Sequence, residues 1–251
     1  MPLAGTMDIG RLLDGAPTTE LATEELHIAG VEICQMLVEM KANDVEGLLP
    51  PALNPTIPPV ISFLLARGEH PEHGPFTLSQ ARITARAGVR PRAFLVSAVC
   101  DNEPLGALLA GSWGFRIRPG TTKFSRFHDR IDCTVIEDRR TVLQLSLVDP
   151  EPITGHDIQY APGMHLARVE RDGHLVPRLI QVDGEYEFKK ADRGRPQLHV
   201  FDAAAWSCDA VIPTEPISAS YTTCDMSFPL VRYTANPDLP AAEGTEHVER
   251  P

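Results

Sequence analysis

The stretch from Trp113 to Gly120, WGFRIRPG, sets Arg116 and Arg118 on either side of Ile117. A guanidinium stays protonated and offers a planar fork of donors, so either arginine can clamp a carboxylate or an enolate oxygen. Neither can form an imine. On a strand the two arginines share one face and Ile117 takes the other, and a slip of one residue would exchange them. Lysine is scarce, with only Lys41, Lys123, Lys189 and Lys190. Lys123, in TTKFSRF, is the amine nearest the arginines. A nucleophilic role there requires burial or a neighbouring cation to lower its pKa, and its alternation with apolar residues equally fits a solvent-facing strand. Lys189 and Lys190 read as a solvated pair. Glu103 opens a helix, where an acid complements the dipole or faces a pocket mouth.

Other chemistry-bearing groups have bland readings beside the sharp ones. His70, Glu72 and His73 in GEHPEHG could bind a metal, but a Pro/Gly loop lacks the fixed spacing of a helical HExxH site; a loop beside a pocket fits as well. His128 and Asp129 could pair as base and orienter, yet adjacent strand residues point opposite ways. Ser79 and Gln80 suit a pocket wall that hydrogen-bonds a substrate oxygen. Five cysteines, Cys34, Cys100, Cys133, Cys208 and Cys224, show no CxxC spacing and read as free buried thiols in a reducing compartment. GxSxG, P-loop and GxGxxG patterns are missing, so hydrolase-elbow and nucleotide readings have no support. No metal and no cofactor is expected.

The 251 residues, 43% hydrophobic, can bury a sizeable core without staples. A net charge of -11 opposes binding to phosphate backbones, so nucleic acid is not the expected partner. No apolar run spans a bilayer and the N-terminus lacks the basic start of a signal peptide. No membrane association and a cytoplasmic location are expected. The 23 prolines favour short elements joined by stiff turns.

Strands are predicted at 31–40, 60–67, 76–86, 92–99, 122–127, 131–137, 141–148, 186–190, 198–201 and 217–228. The turn at Asp172-Gly173 joins two alternating runs into a hairpin. Asn43 with Glu46 forms a capping-box pattern for a short helix NDVEGLL. Asp101 or Asn102 caps a second helix, EPLGALLAG, ending near Gly111 and Gly114. One helical turn is predicted at 203–208. The expected fold is α+β and mostly β, a curved or closed sheet with a few short helices. The expected organisation is a leader at 1–25, one domain at 26–233 and a flexible tail at 234–251.

Three runs, LLPPALNP, DNEPLGALLAGSWGF and LHVFDAAAWSCDAVIPTEPISASYTTCDMSFP, occur in this order with a hairpin between the second and third. Together they resemble the acetoacetate decarboxylase family over Val31 to Tyr233. The resemblance implies a β-cone or barrel with a buried pocket, assembled into homo-oligomers. It also implies chemistry at a lysine that forms a Schiff base with a ketone; the family is the standing example of a lysine activated by a neighbouring cation. Counted from Asp101, that lysine falls on Ile117 and its cationic neighbour on Arg118. A pocket glutamate of the family falls on Leu64. A second falls within Thr77 to Gln80, where no acid stands, and a family arginine falls on Lys41 or Glu39.

The expected protein is therefore a small-molecule enzyme of secondary metabolism that has kept the pocket and abandoned the imine. It would act as a lyase, cyclase or isomerase on a keto-acid or polyketide-like carbonyl or carboxylate compound. Arg118, Arg116, Lys123 and Glu103 are the catalytic candidates; Ile117, Leu64, Gln80, Ser79 and Phe115 are the substrate-binding ones. A ligand-binding pseudoenzyme and a decarboxylase using Lys123 are the alternatives.

Overall fold

The computed structural model describes residues 4–41 and 45–249. In chain order the strands are β1 (Thr18–Thr19), β2 (Leu26–Met40), β3 (Asn54–Pro55), β4 (Val60–His70), β5 (Gly74–Ala87), β6 (Arg90–Cys100), β7 (Ile117–Pro119), β8 (Thr121–Arg126), β9 (Arg130–Glu137), β10 (Arg140–Pro152), β11 (Gly163–Arg171), β12 (His174–Val182), β13 (Glu185–Phe201), β14 (Pro213–Phe228), β15 (Tyr233–Ala235) and β16 (Thr245–His247). The helices are α1 (Gly10–Leu13), α2 (Glu103–Trp113) and α3 (Ala241–Gly244), with 3-10 turns at Val45–Leu48 and Gly155–Asp157. No helix among the described residues is long and apolar enough to cross a membrane.

The strands form one mostly antiparallel sheet in the order β16-β15-β12-β11-β6-β5-β4-β2-β14-β13-β10-β9-β8. Its far end curls back onto β5: the Thr122 amide donates to Thr77 Oγ1 at 3.1 Å, and the Ser79 and Thr122 hydroxyls lie 2.6 Å apart. The strands from β5 to β8 along this path enclose one apolar core. Met36, Phe63, Ala81, Cys133, Leu145 and Tyr221 fill it, with Phe124 and Phe201 packed at its edge. Successive strand residues point to opposite faces, so the alternate residues build a second cluster on the outer face. It holds Val31, Ile33, Leu64, Ala66, Leu78 and Ala98, and is covered by α2, β11 and β12 through Leu105, Leu109, Trp113, Ala167 and Ile180. Strands buried on both faces read as continuous apolar runs rather than as strict alternation.

Helix α2 forms where the DNEP box dictates. Asn102 Oδ1 accepts the Leu105 amide at 3.0 Å, Pro104 stands in the first turn, and Gly114 closes the helix in the left-handed region at φ 69°. A side chain at Gly114 would also bring its Cβ within 3.0 Å of Ala167. Asp101 is not the cap; its carboxylate accepts from the Thr77 amide and hydroxyl and ties α2 to β5.

Several elements differ from the sequence reading in extent. The segments predicted at 186–190 and 198–201 are one strand, β13, whose central run ADRGRP pairs with β10 and β14 on both sides. Paired edges, not apolar side chains, hold that middle in place. Residues 203–207 form hydrogen-bonded turns, one of them closed by the Trp206 amide on Asp202 O four residues back, and do not extend into a helix. The Asn43 cap lies outside the described residues. Beyond Tyr233, β15 pairs with β12 and then with β16, with Thr234 and Ala235 buried. Glu246 meets Arg171 and Arg178 there, so ladder bonds and ion pairs substitute for the apolar content that this polar stretch lacks.

Candidate functional site

The outer face of the sheet changes character along its strands. Directly opposed residues share a face, and register places Leu78, Ala66, Ile33 and Thr222 in one row across β5, β4, β2 and β14. The next row is Gln80, Leu64, Gln35 and Ser220, and the one after is Arg82, Ser62, Leu37 and Ser218. Apolar residues thus give way, within two steps of the pleat, to buried amides, hydroxyls and one guanidinium.

That guanidinium closes a small cavity. Gln80, Arg82, Phe115, Tyr160, His165 and Tyr186 line it, together with the 161–163 backbone, Val182, Gly184 and Phe228. Its volume is about 10 Å³, room for roughly one water molecule. Arg82 is only 4% exposed; one Nη donates to Ala161 O, and its Nε has no partner. Burial pulls its pKa down, and the Tyr186 phenol acts weakly in the opposite sense. Among the described residues no carboxylate pairs with it. An unpaired buried charge costs several kcal/mol, so this arginine is poised for an anion.

The other walls are fixed. Tyr160 Oη and Thr222 Oγ1 are 2.8 Å apart, and burial holds the Tyr160 phenol well above its usual pKa. His165 is buried, edge-on to Phe115 with ring centroids 4.3 Å apart. Its Nδ1 lies 2.9 Å from Trp113 O. A carbonyl only accepts, so Nδ1 carries the proton. Burial first, and then Arg82, push the His165 pKa down to about 3 against the pull of that carbonyl, so the ring is neutral and Nε2 keeps its lone pair. Nε2 overhangs Gly163, where a Cβ would sit 2.4 Å from it. Tyr186, stacked edge-on against Tyr160 at 4.8 Å and pushed up to about 12 by burial, also lines an outer groove of about 640 Å³ with His27, Glu187 and Asp225. It is the wall shared by cavity and groove.

The sequence candidates divide between this cavity and a second place. Gln80 and Phe115 line the cavity, and Leu64 lies beside Gln80 in the same row. Ser79 faces the other way and is spent on Thr122. Glu103, Ile117 and Arg118 line an open groove of about 550 Å³ beside the start of α2. Ile117 pairs with Ala98, packs under Gly106 of α2 and adjoins the cluster that holds Leu64 and Leu78. Hydrocarbon therefore stands at Ile117 and Leu64, two of the points where the resemblance implies a working group; in the 77–80 window this face carries Leu78 and Gln80, neither of them an acid. Arg118 points away from them and is engaged by Glu137, at 3.1 Å from Nε and 3.2 Å from Nη2. Burial pushes the Glu137 carboxyl up while Arg118 pulls it down. Arg116 packs its guanidinium on Gly15. Lys123 is exposed on β8, as Lys41 is after β2; neither lines the cavity.

Arg82, Tyr160, His165 and Tyr186 were not singled out by the sequence. Arg82 had a legible signal: once Gln80 is placed in a pocket wall, period two puts Arg82 beside it. His165 on β11 and Tyr186 on β13 are brought in by long-range strand pairing, and Tyr160 by the loop that leads into β11 and bonds Thr222. The remaining sharp motifs have local uses. His70 Nδ1 accepts the Glu72 and His73 amides and its ring stacks on His73 at 4.5 Å. Among the described residues no group of three or more His, Cys, Asp or Glu is arranged to hold a metal ion. His128 and Asp129 are exposed in the turn between β8 and β9.

A curled sheet whose outer face carries a small polar cavity defines a β-rich domain of the cone type. The acetoacetate decarboxylase family model matches residues 16–236, and the chain belongs to that family. No curated protein matches the sequence. Among solved structures it is similar to the acetoacetate decarboxylase from Legionella pneumophila subsp. pneumophila str. Philadelphia 1, at 17% identity and TM-score 0.73, covering 85% of this chain and 88% of that one. It is similar to the enduracididine biosynthesis enzyme MppR, complexed with the condensation product of pyruvate and imidazole 4-carboxaldehyde, at 17% identity and TM-score 0.67, covering 84% and 90%. An acetoacetate decarboxylase-like enzyme from Sphingomonas wittichii RW1 is similar at 11% identity and TM-score 0.68, covering 91% and 98%. At these identities the likeness is one of fold.

Proposed function

We propose that this chain is a small-molecule enzyme that binds a keto-acid-type substrate through its carboxylate at Arg82 and turns it over without a lysine imine. A lyase, cyclase or isomerase step of secondary metabolism, in a cytoplasmic homo-oligomer, is the reading. The observation that carries it is a buried, acid-free guanidinium facing a cavity whose wall contains no lysine. Charge-assisted bonds from a desolvated arginine are strong and need no reorganisation, so they hold a carboxylate or a developing enolate equally well. Complexes of the related MppR with pyruvate and with a pyruvate condensation product agree with that substrate class. The cavity has room for about one water, so a substrate is admitted by widening it, and Tyr186, shared with the outer groove, is the wall residue that would swing aside.

Two measurements test this. Arg82→Met should lose affinity for short 2-oxo and 3-oxo acids, read by calorimetry, while the fold survives; retained affinity removes the reading. Borohydride treatment in the presence of acetoacetate should leave the intact mass unchanged, whereas a reduced adduct on Lys123 would establish the imine alternative. Recovery of unaltered ligand after tight binding would favour a binding protein, which the same cavity also suits.

A further inference from the structure

The cavity pairs Arg82 with a second group that the chemistry above leaves unused. We propose that His165 is the proton acceptor of this site, taking a proton through Nε2 from the carbon next to the carbonyl of a 2-oxo acid held at Arg82; this rests on the Arg82 reading. Three independent features of geometry support it. The Trp113 carbonyl fixes the proton on Nδ1, which leaves Nε2 as the basic atom. Phe115, edge-on to the ring, and the lining contributed by Gly163 keep the imidazole in the wall of the same cavity as Arg82. The missing side chain at Gly163 gives Nε2 its space, because any Cβ there would collide with it.

The step balances within the substrate and the protein. The C–H bond breaks, its proton adds to Nε2, and the electron pair moves onto the carbonyl oxygen as an enolate beside the Arg82 guanidinium. No electrons are exchanged with another reagent. In the ligand-free cavity Arg82 opposes a charge on His165. A bound carboxylate offsets that repulsion, and the enolate then faces two cations, so the imidazole becomes more basic as the substrate enters. Returning the proton to a different carbon or oxygen gives an isomer; losing a leaving group from the enolate gives a lyase.

Pyruvate is the probe, because the narrow cavity favours a small ligand and pyruvate is the smallest 2-oxo acid with exchangeable protons on the carbon next to the carbonyl. The full-length protein in D2O should exchange those protons for deuterium, followed by proton NMR, and pyruvate binding should be measured by calorimetry in parallel. His165→Gln should reduce the exchange rate by about 100-fold or more, in line with the contribution of a general base, while calorimetric affinity changes little. His165→Met, which keeps the volume without a basic nitrogen, should behave in the same way and covers the case in which glutamine disturbs the core. Exchange that persists unchanged in either folded variant overturns the role of His165. Binding of pyruvate by the unaltered protein with no exchange above buffer also overturns it and leaves the Arg82 reading standing. Failure to bind pyruvate, 2-oxobutyrate or acetoacetate at all overturns both.

Discussion

Two arginines separate the two regions of this molecule. Arg118, at the groove beside α2, is about 29% exposed and clasped by Glu137. Arg82, on the outer face of β5, is buried and clasped by nothing but a carbonyl. Sequence position favours Arg118, since it stands beside the place where relatives are expected to keep their reactive amine. Electrostatics favours Arg82. A guanidinium already paired with a carboxylate has little left to offer a substrate anion, whereas one buried without an acid gains from any anion that arrives. Charge in a sequence marks a candidate; the partner, or its absence, decides whether the charge is free to bind.

The strongest way to break this contrast is Arg82→Met. Besides losing ligand affinity, the ligand-free variant should be more stable than the parent, by about 1 kcal/mol or more, because an uncompensated buried charge is removed. The lost bond to Ala161 O offsets part of that gain. Denaturant melts check it, and a destabilised variant would mean that Arg82 is structurally satisfied after all.

Acid titration probes the same cavity. His165 binds its proton near pH 3 in the folded chain but near 6.5 when unfolded. Between those values the unfolded state holds more protons, so stability rises with pH and is lost as pH falls from about 6.5 toward 3, by up to ~1.4 kcal/mol per unit. His70, whose pKa burial also lowers, adds in the same sense. His165→Met should flatten this slope, read as melting temperature against pH.

At the groove, Asn102→Ala removes the cap of α2 and the two bonds from Nδ2 to His73 O and Pro75 O. It should cost about 1–2 kcal/mol, with ligand affinity at the cavity retained. Arg118→Met should have the smallest effect, about 1 kcal/mol, because Glu137, already raised by burial, can take up a proton once its partner is gone. A sharp fall in turnover with the fold intact would instead move the substrate to the groove and reverse the contrast.

Much of the cone was legible because its strands carry their own pattern. β4, β5 and β6 are apolar enough to be read without partners, and the DNEP box with Gly114 announced α2 by capping chemistry alone. β13 and β15 were not legible in the same way. Their polar middles are held by ladders on both sides, a property of neighbours far away in the chain rather than of local composition. The site divides likewise. Gln80, Phe115 and Leu64 were placed in a pocket wall by local pattern and resemblance, and the structure sets Gln80 and Phe115 in one cavity wall with Leu64 alongside.

By itself the sequence determined which side chains exist: hydrocarbon at Ile117 and Leu64, no acid from Thr77 to Gln80, and four lysines in all, of which only Lys123 lies near the candidate arginines along the chain. Only the tertiary structure decided whether Arg118 or Arg82 meets an acid. Pairing is set by strand register and burial, and those bring Glu137 to Arg118 while leaving Arg82 with His165 and two phenols. A charge's worth depends on the dielectric and the partners around it, and both are assembled from residues that lie far apart along the chain.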